Sequence, residues 1–184
     1  MGKAAGVQGE KQIMAEFYPA LDDGLTKFIE AQKIFFVASA PPESGERVNV
    51  SPKGYSSFSV IDSKTVAYID YPGSGNETAR HIARRGMVTV MFCSFDKKPM
   101  ILRLYCRGEM IPLEEAHDIA AGMKRELPPH ARQIILLHIE EVMTSCGYGV
   151  PYFKYLGERK TLKEWCKRKL TKGKLVEYIG TLRR

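Results

Sequence analysis

Lys53 stands just behind a rigid Ser51-Pro52 step that closes one alternating run, and Ser74, Asn76 and Thr78 sit in the glycine turn that follows a later apolar run. These groups have the chemistry of an anion site. A lysine ammonium with small hydroxyls, an amide and the free N–H groups of a helix start would neutralise and orient one phosphate dianion. Glu77 opposes this, because a carboxylate at the same helix start competes with the phosphate and has to point away. Turns of this kind also carry Gly, Ser and Asn for backbone geometry alone, so the residues leave both readings open.

Other chemistries find less support. No GxSxG or GxxxxGK[ST] pattern occurs, and the four histidines (His81, His117, His130, His138) are scattered. Glu114 and His117 are spaced i, i+3 as in bundle metal sites, but one such pair without a second is background, and no metal site is expected. His138 lies in an apolar strand and reads as a satisfied core or barrel-wall residue. No carboxylate pair stands out for acid–base work, and no residue is singled out as catalytic.

The elements that must hold the anion-binding groups are mostly strands. Thr65 to Asp70 (TVAYID) is a strand ended by Pro72-Gly73, and Glu77 to Arg85 is a short helix with Ala79, Ile82 and Ala83 on its inward face. Lys33 to Ala40 and Arg47 to Ser51 form a hairpin across the turn at Pro41 to Glu46. Phe58 to Ile61, Met87 to Phe95, Met100 to Ile111 and Gln133 to Met143 are further strands. Residues Gln12 to Gln32 repeat apolar positions at near-helical spacing, broken at Pro19 and Gly24, and Leu113 to Leu127 is helical in composition. The tally is six or seven strands, mostly joined by short turns, which favours a closed antiparallel barrel with flanking helices.

The 184 residues are the size of one domain, with a polar residue 1–11 segment read as disordered and a single domain from 12 onward. The net charge of +7 lies entirely in the segment from Glu158, which holds ten Lys or Arg against three Glu. That segment reads as a basic helical face, and without a recognised motif nucleic acid is not the expected partner. No apolar run of about 18 residues or secretory leader is present, so the expectation is a cytoplasmic protein without membrane segments. The four cysteines lack zinc spacing, and three of them lie in or beside apolar runs and read as buried thiols.

Four stretches, VNVSPKG (48–54), VAYIDYPGSGNETARHI (66–82), VTVMFCSF (88–95) and SCGYGVPYFKYLGERKTLKEW (145–165), resemble the pyridoxamine 5′-phosphate oxidase-related family of FMN-binding split barrels. The resemblance covers about residues 12–170 in order and spacing. It implies a six-stranded antiparallel split barrel, mainly β, that forms a homodimer with FMN in clefts between the subunits. On it, Lys53 is the phosphate-binding lysine, and the family's Gly-Ser-Arg-Lys turn falls on Gly73-Ser74-Gly75-Asn76, so two basic residues are replaced and Thr78 compensates in part. Asn49 and Ser51 are placed to hydrogen-bond the ribityl chain or ring, with Tyr71 and the Ser145 to Tyr148 loop over the cleft. Arg103 falls near the partner-subunit glutamine beside the flavin, where a cation would favour the anionic reduced form or, alternatively, make an inter-subunit salt bridge. The expected activity is an FMN-dependent oxidoreductase of unknown small-molecule substrate. The family's basic substrate-phosphate set and Arg-Leu-Xaa-Pro ending are missing, so pyridoxamine phosphate is not expected to be that substrate. A non-catalytic flavin module, or a barrel that takes haem or a deazaflavin, are the alternatives.

Overall fold

The computed structural model describes residues 15–43, 47–73 and 75–181. The expected disordered segment 1–11, the turn residues 44–46 and Ser74 lie outside them. Eight strands form one antiparallel sheet: β1 (Ala15–Tyr18), β2 (Phe35–Ala40), β3 (Asn49–Lys53), β4 (Phe58–Val60), β5 (Thr65–Asp70), β6 (Met87–Cys93), β7 (Ile101–Ile111) and β8 (Gln133–Ser145). The sheet runs β3-β2-β6-β7-β8-β5-β4, with β1 as a branch on β8. It curls into a half-barrel, so the mainly β architecture with flanking helices is as expected, with eight strands among the described residues against the seven segments read from the sequence.

The additional strand is β1. Helical spacing across Gln12 to Gln32 predicts helix there, yet Ala15–Tyr18 pairs with Val142–Ser145. The reason lies in β8, whose one edge is covered by β5 only from Gln133 to His138. The free ladder groups beyond His138 take a partner, and Pro19 ends that partner before a helix can form. Helix α1 (Asp23–Ala31) then starts at Asp22, whose carboxylate accepts from the Leu25 N–H at 2.7 Å. Its Leu25 and Ile29 are buried against the inner face of the sheet.

β5 is buried on both faces, which explains its unbroken apolar run. Val66 and Tyr68 join the inner core with Phe35, Val37, Phe92, Leu104 and Leu137. Ala67 and Ile69 meet Ala116, Met123 and Ile134 on the other face. That outer layer is built from a 3-10 turn (Leu113–Glu115) and α3 (His117–Gly122), shorter than the helix expected over Leu113 to Leu127. Gly122 and the left-handed Lys124 (φ 52°) end it early.

Helix α2 (Glu77–Ala83) closes one end of the half-barrel. It buries Thr78, Ala79, His81 and Ile82, while Ala83, expected inward, is exposed. Gly108 on β7 lets it approach, since a Cβ there would lie 2.8 Å from Ile82 Cδ1. Two helices, α4 (Thr161–Thr171) and α5 (Leu175–Thr181), complete the basic C-terminal segment. Among the described residues no helix is long and apolar enough to cross a membrane. The four cysteines are unpaired, and burial pushes the Cys106 thiol up to about 12.

Candidate functional site

β3 alternates strictly, so Asn49, Ser51 and Lys53 share its half-buried face while Val50 and Pro52 point outward. Pro52 is tolerated because β3 is the edge of the sheet. The three inward side chains line a cavity of about 410 Å³ together with Tyr68, Asp70, Tyr71, Asn76, Thr78 and Arg132. Six of the residues singled out from the sequence therefore meet in one place: Asn49, Ser51, Lys53, Tyr71, Asn76 and Thr78. Ser74 lies outside the described residues.

Arg103 is not part of this cavity. It sits on β7 opposite Met91 and Met143 and donates to Ser145 Oγ at 3.2 Å. No residue of the Ser145 to Tyr148 loop lines the cavity within the chain either. His138 is a barrel-wall residue as expected, exposed and 3.0 Å from Glu109 Oε1.

Two polar groups of the cavity are unmatched, one half-buried and one fully buried. The Lys53 ammonium lies 6.0 Å from the centroid of the Tyr68 ring, and among the described residues no carboxylate reaches it within 4.0 Å. Burial pulls its pKa below the usual lysine value, and Asp70 offsets part of that effect. The Tyr68 hydroxyl is completely buried and has no hydrogen-bond partner. Burial, with the Asp70 carboxylate adding to it, pushes its pKa well above 10.

The wall facing Lys53 comes from residues that pattern reading did not select. Arg132 donates Nε and Nη2 to Asp70 Oδ2 at 2.9 and 2.7 Å, and Nη1 to the Gly75 carbonyl at 3.1 Å. Gln133 donates to the same Asp70 oxygen at 2.9 Å and reaches Asn76 Oδ1 at 3.4 Å. Asn76 thus spends its side chain on Gln133 and makes no capping bond to α2. Tyr178 of α5 donates to the Gly73 carbonyl at 2.8 Å, so the glycine turn is held from two sides. The available signal for Arg132 was its place as a lone cation between Pro128-Pro129 and an apolar strand, opposite the terminal carboxylate of β5.

Glu77 does not point away as the phosphate reading requires. Its carboxylate folds back over Gly75, where an added Cβ would lie 2.3 Å from Oε2, and pairs with Arg80 at 3.5 Å. The cavity therefore holds two cations, Lys53 and Arg132, and two carboxylates, Asp70 and Glu77, with Arg132 and Asp70 paired to each other on the wall that faces Lys53. Tyr71 packs edge-on to Tyr55 (5.7 Å) and stacks on His130 (5.6 Å). Burial, then Lys167 and Lys163, hold the His130 imidazole below its ordinary pKa.

A larger, mainly apolar cleft of about 940 Å³ adjoins this cavity and shares Lys53 with it. Phe36, Tyr55, Phe95, Phe153, Tyr155 and Leu156 are among the residues that line it. No group of three or more His, Cys, Asp or Glu among the described residues is placed to hold a metal.

A curled antiparallel sheet with a polar cavity at the edge-strand lysine is a split barrel of the oxidase type. The sequence model described as pyridoxamine 5′-phosphate oxidase matches residues 21–146, and the chain belongs to that family. The pyridoxamine 5′-phosphate oxidase family protein ustO of Aspergillus flavus is 45% identical over 144 residues, 75% of this chain; the chain spans only 57% of that protein. Several solved structures share the fold, and two are representative. One is a candidate pyridoxamine 5′-phosphate oxidase from Lactobacillus delbrueckii (TM-score 0.53, 21% identity, 68% of this chain and 94% of that one). The other is HupZ of Group A Streptococcus (TM-score 0.51, 19% identity, 66% and 91%).

Proposed function

We propose that this chain is an FMN-dependent oxidoreductase acting as a homodimer on a small molecule other than pyridoxamine phosphate. The observation that carries the reading is a pair of unmatched groups in one cavity, the half-buried Lys53 ammonium and the fully buried Tyr68 hydroxyl. A partly desolvated cation beside a buried donor without a partner is costly unless an anion with acceptor oxygens completes them, and a phosphate ester does so. Asn49, Ser51 and Thr78 beside them have the donor and acceptor types that a sugar alcohol chain takes. The adjoining apolar cleft suits a planar ring and an organic substrate.

FMN would supply electron transfer at N5 and C4a, and the chain's residues bind and orient. Lys53 holds the phosphate against competition from the Glu77 carboxylate, which lines the same cavity instead of pointing away, and Arg132 fixes the glycine turn in place of the missing basic turn residues. Support for the homodimer comes from Tyr148, Tyr152, Phe153, Tyr155 and Leu156, each 53–88% exposed in the single chain. Apolar side chains exposed at that density mark a partner surface, and a second copy would bring its Arg103 toward the flavin. The unpaired cysteines fit a reducing, cytoplasmic setting.

The test is a visible absorption spectrum of the purified protein before and after FMN is added and the excess removed. Flavin bands that survive desalting support the reading, and a colourless protein ends it. Oxidation of reduced nicotinamide by the coloured protein then separates turnover from binding alone.

A further inference from the structure

The two strands that end the sheet, β3 and β4, are consecutive in the chain and joined by residues 54–57. Beside that link lies a second cavity of about 410 Å³, walled by β4, the end of α1 and the residues that follow α3. It shares no residue with the cavity at Lys53, and only Gln32, Lys33 and Gly54 with the apolar cleft. Its floor is aromatic. Phe58 stands edge-on to Phe35 and to Phe92, each at 5.0 Å.

The rim is cationic. Lys33 and Lys124 are exposed, and Arg125 is half-buried. Among the described residues none of the three has a carboxylate within 4.0 Å, although Glu30 lines the same cavity. Arg125 Nη1 donates to the Ser56 carbonyl, while Nε is buried and has no hydrogen-bond partner. The Ser57 and Ser59 hydroxyls spend their hydrogens on the Gly54 and Met123 carbonyls, at 2.7 and 3.4 Å. The cavity therefore offers charge more than hydroxyl donation. Three like charges around one space, one of them partly desolvated, repel each other, and an anion placed among them relieves that cost. The floor beneath suits a flat apolar body, and the volume is that of a small-molecule site.

The wall is also held in an uncommon backbone shape. Ser56 (φ 49°) and Lys124 (φ 52°) are both left-handed, and the Arg125 bond to Ser56 links the two stretches. Residues other than glycine adopt that region seldom, and where they do the surrounding structure imposes it.

We propose that this cavity binds an organic anion, a carboxylate or phosphate ester carried on a flat apolar body, at a place separate from the cavity at Lys53. The aromatic floor takes the body, and Lys33, Lys124 and Arg125 take the charge. The site goes beyond the flavin reading and does not depend on it.

The experiment titrates 2-naphthoate, 2-naphthyl phosphate and the neutral 2-naphthylmethanol into the whole chain, labelled at its isoleucine and methionine methyl groups. Either anion is expected to shift the signals of Ile29, Ile61 and Met123, which line this cavity, and to leave Ile135, which lines the one at Lys53. The tighter of the two anions identifies the headgroup. The alcohol is expected to bind about tenfold more weakly or less. Lys124→Asn suits the left-handed backbone and removes a cation found only at this cavity. It should weaken the anions about three- to tenfold and leave the alcohol unchanged. Arg125→Gln, which keeps a donor for the Ser56 carbonyl, gives the same loss if that variant folds poorly. Lys53→Ala should leave all three affinities as they are. Equal affinity for the alcohol, or no saturable shift with either anion, overturns the proposal. Shifts at Ile135 that vanish in Lys53→Ala overturn it too, because the anions then belong to the cavity already described. A chain that takes no FMN would remove the proposed function and leave every arm of this titration in force.

Discussion

Arg132 and Asp70 close on each other at 2.7 Å with side chains only 5% and 6% exposed. The pairing of Asp70 with Gln133 in the β5–β8 ladder sets them side by side. The same guanidinium holds the Gly75 carbonyl, so one buried ion pair links the last β5 residue, the start of β8 and the glycine turn. Breaking such a pair leaves an uncompensated buried charge. Arg132→Leu is expected to destabilise the fold by about 3–5 kcal/mol. A calorimetric melt should show Tm falling by roughly 2–4 °C per kcal/mol, and the Arg132→Leu/Asp70→Leu pair should recover part of the loss.

Lys53 carries an opposite signature. Burial lowers its pKa below 10.5 in the folded chain, so the unfolded chain binds that proton more tightly. Its contribution to stability therefore rises with pH through the window between the lowered folded value and the ordinary one. Lys53→Met should raise the Tm of the flavin-free protein at neutral pH and flatten that alkaline rise.

With ligand present the sign reverses. Lys53→Ala should weaken FMN binding by more than tenfold, on the order of 1.5–3 kcal/mol for a charge-assisted contact. Equilibrium fluorescence quenching measures it, and an unchanged affinity would take Lys53 out of the site.

Glu77 shares the cavity with Lys53 and competes for it. Glu77→Gln removes a negative charge beside the expected phosphate, so FMN should bind tighter by about three- to tenfold. Its exposed pair with Arg80 contributes little, and Tm should hardly move.

The exposed aromatic arm bears on assembly. Replacing Tyr152, Phe153 and Leu156 with serine should shift the protein to monomer in sedimentation velocity and release FMN on desalting. A monomer that kept its flavin would contradict a shared cleft.

Much of the fold was legible because strand alternation is a local signal. Asn49, Ser51 and Lys53 share a face by period two, and β6, β7 and β8 are long and apolar. β1 was not legible, because its helical spacing was overridden by an open ladder on a strand more than a hundred residues away. Within the site, the residues of β3 and α2 could be found from short-range pattern. Arg132, Gln133 and Tyr68 could not, since the β5–β8 register and the depth of the core decide their place.

Among the described residues β8 is the last strand and has the most partners, with β7 along one edge and β5 and β1 sharing the other. During synthesis three strands leave the ribosome with edges that only this late arrival can cover. β3, β2, β6 and β7, and separately β4 and β5, can pair as they emerge, but these two parts and β1 join into one sheet only with β8, so the nascent chain carries open β-edges until Ser145 emerges. Of the two sides of the cavity, Lys53 is made early and Arg132 late, so the pocket is completed by the same event that completes the barrel wall.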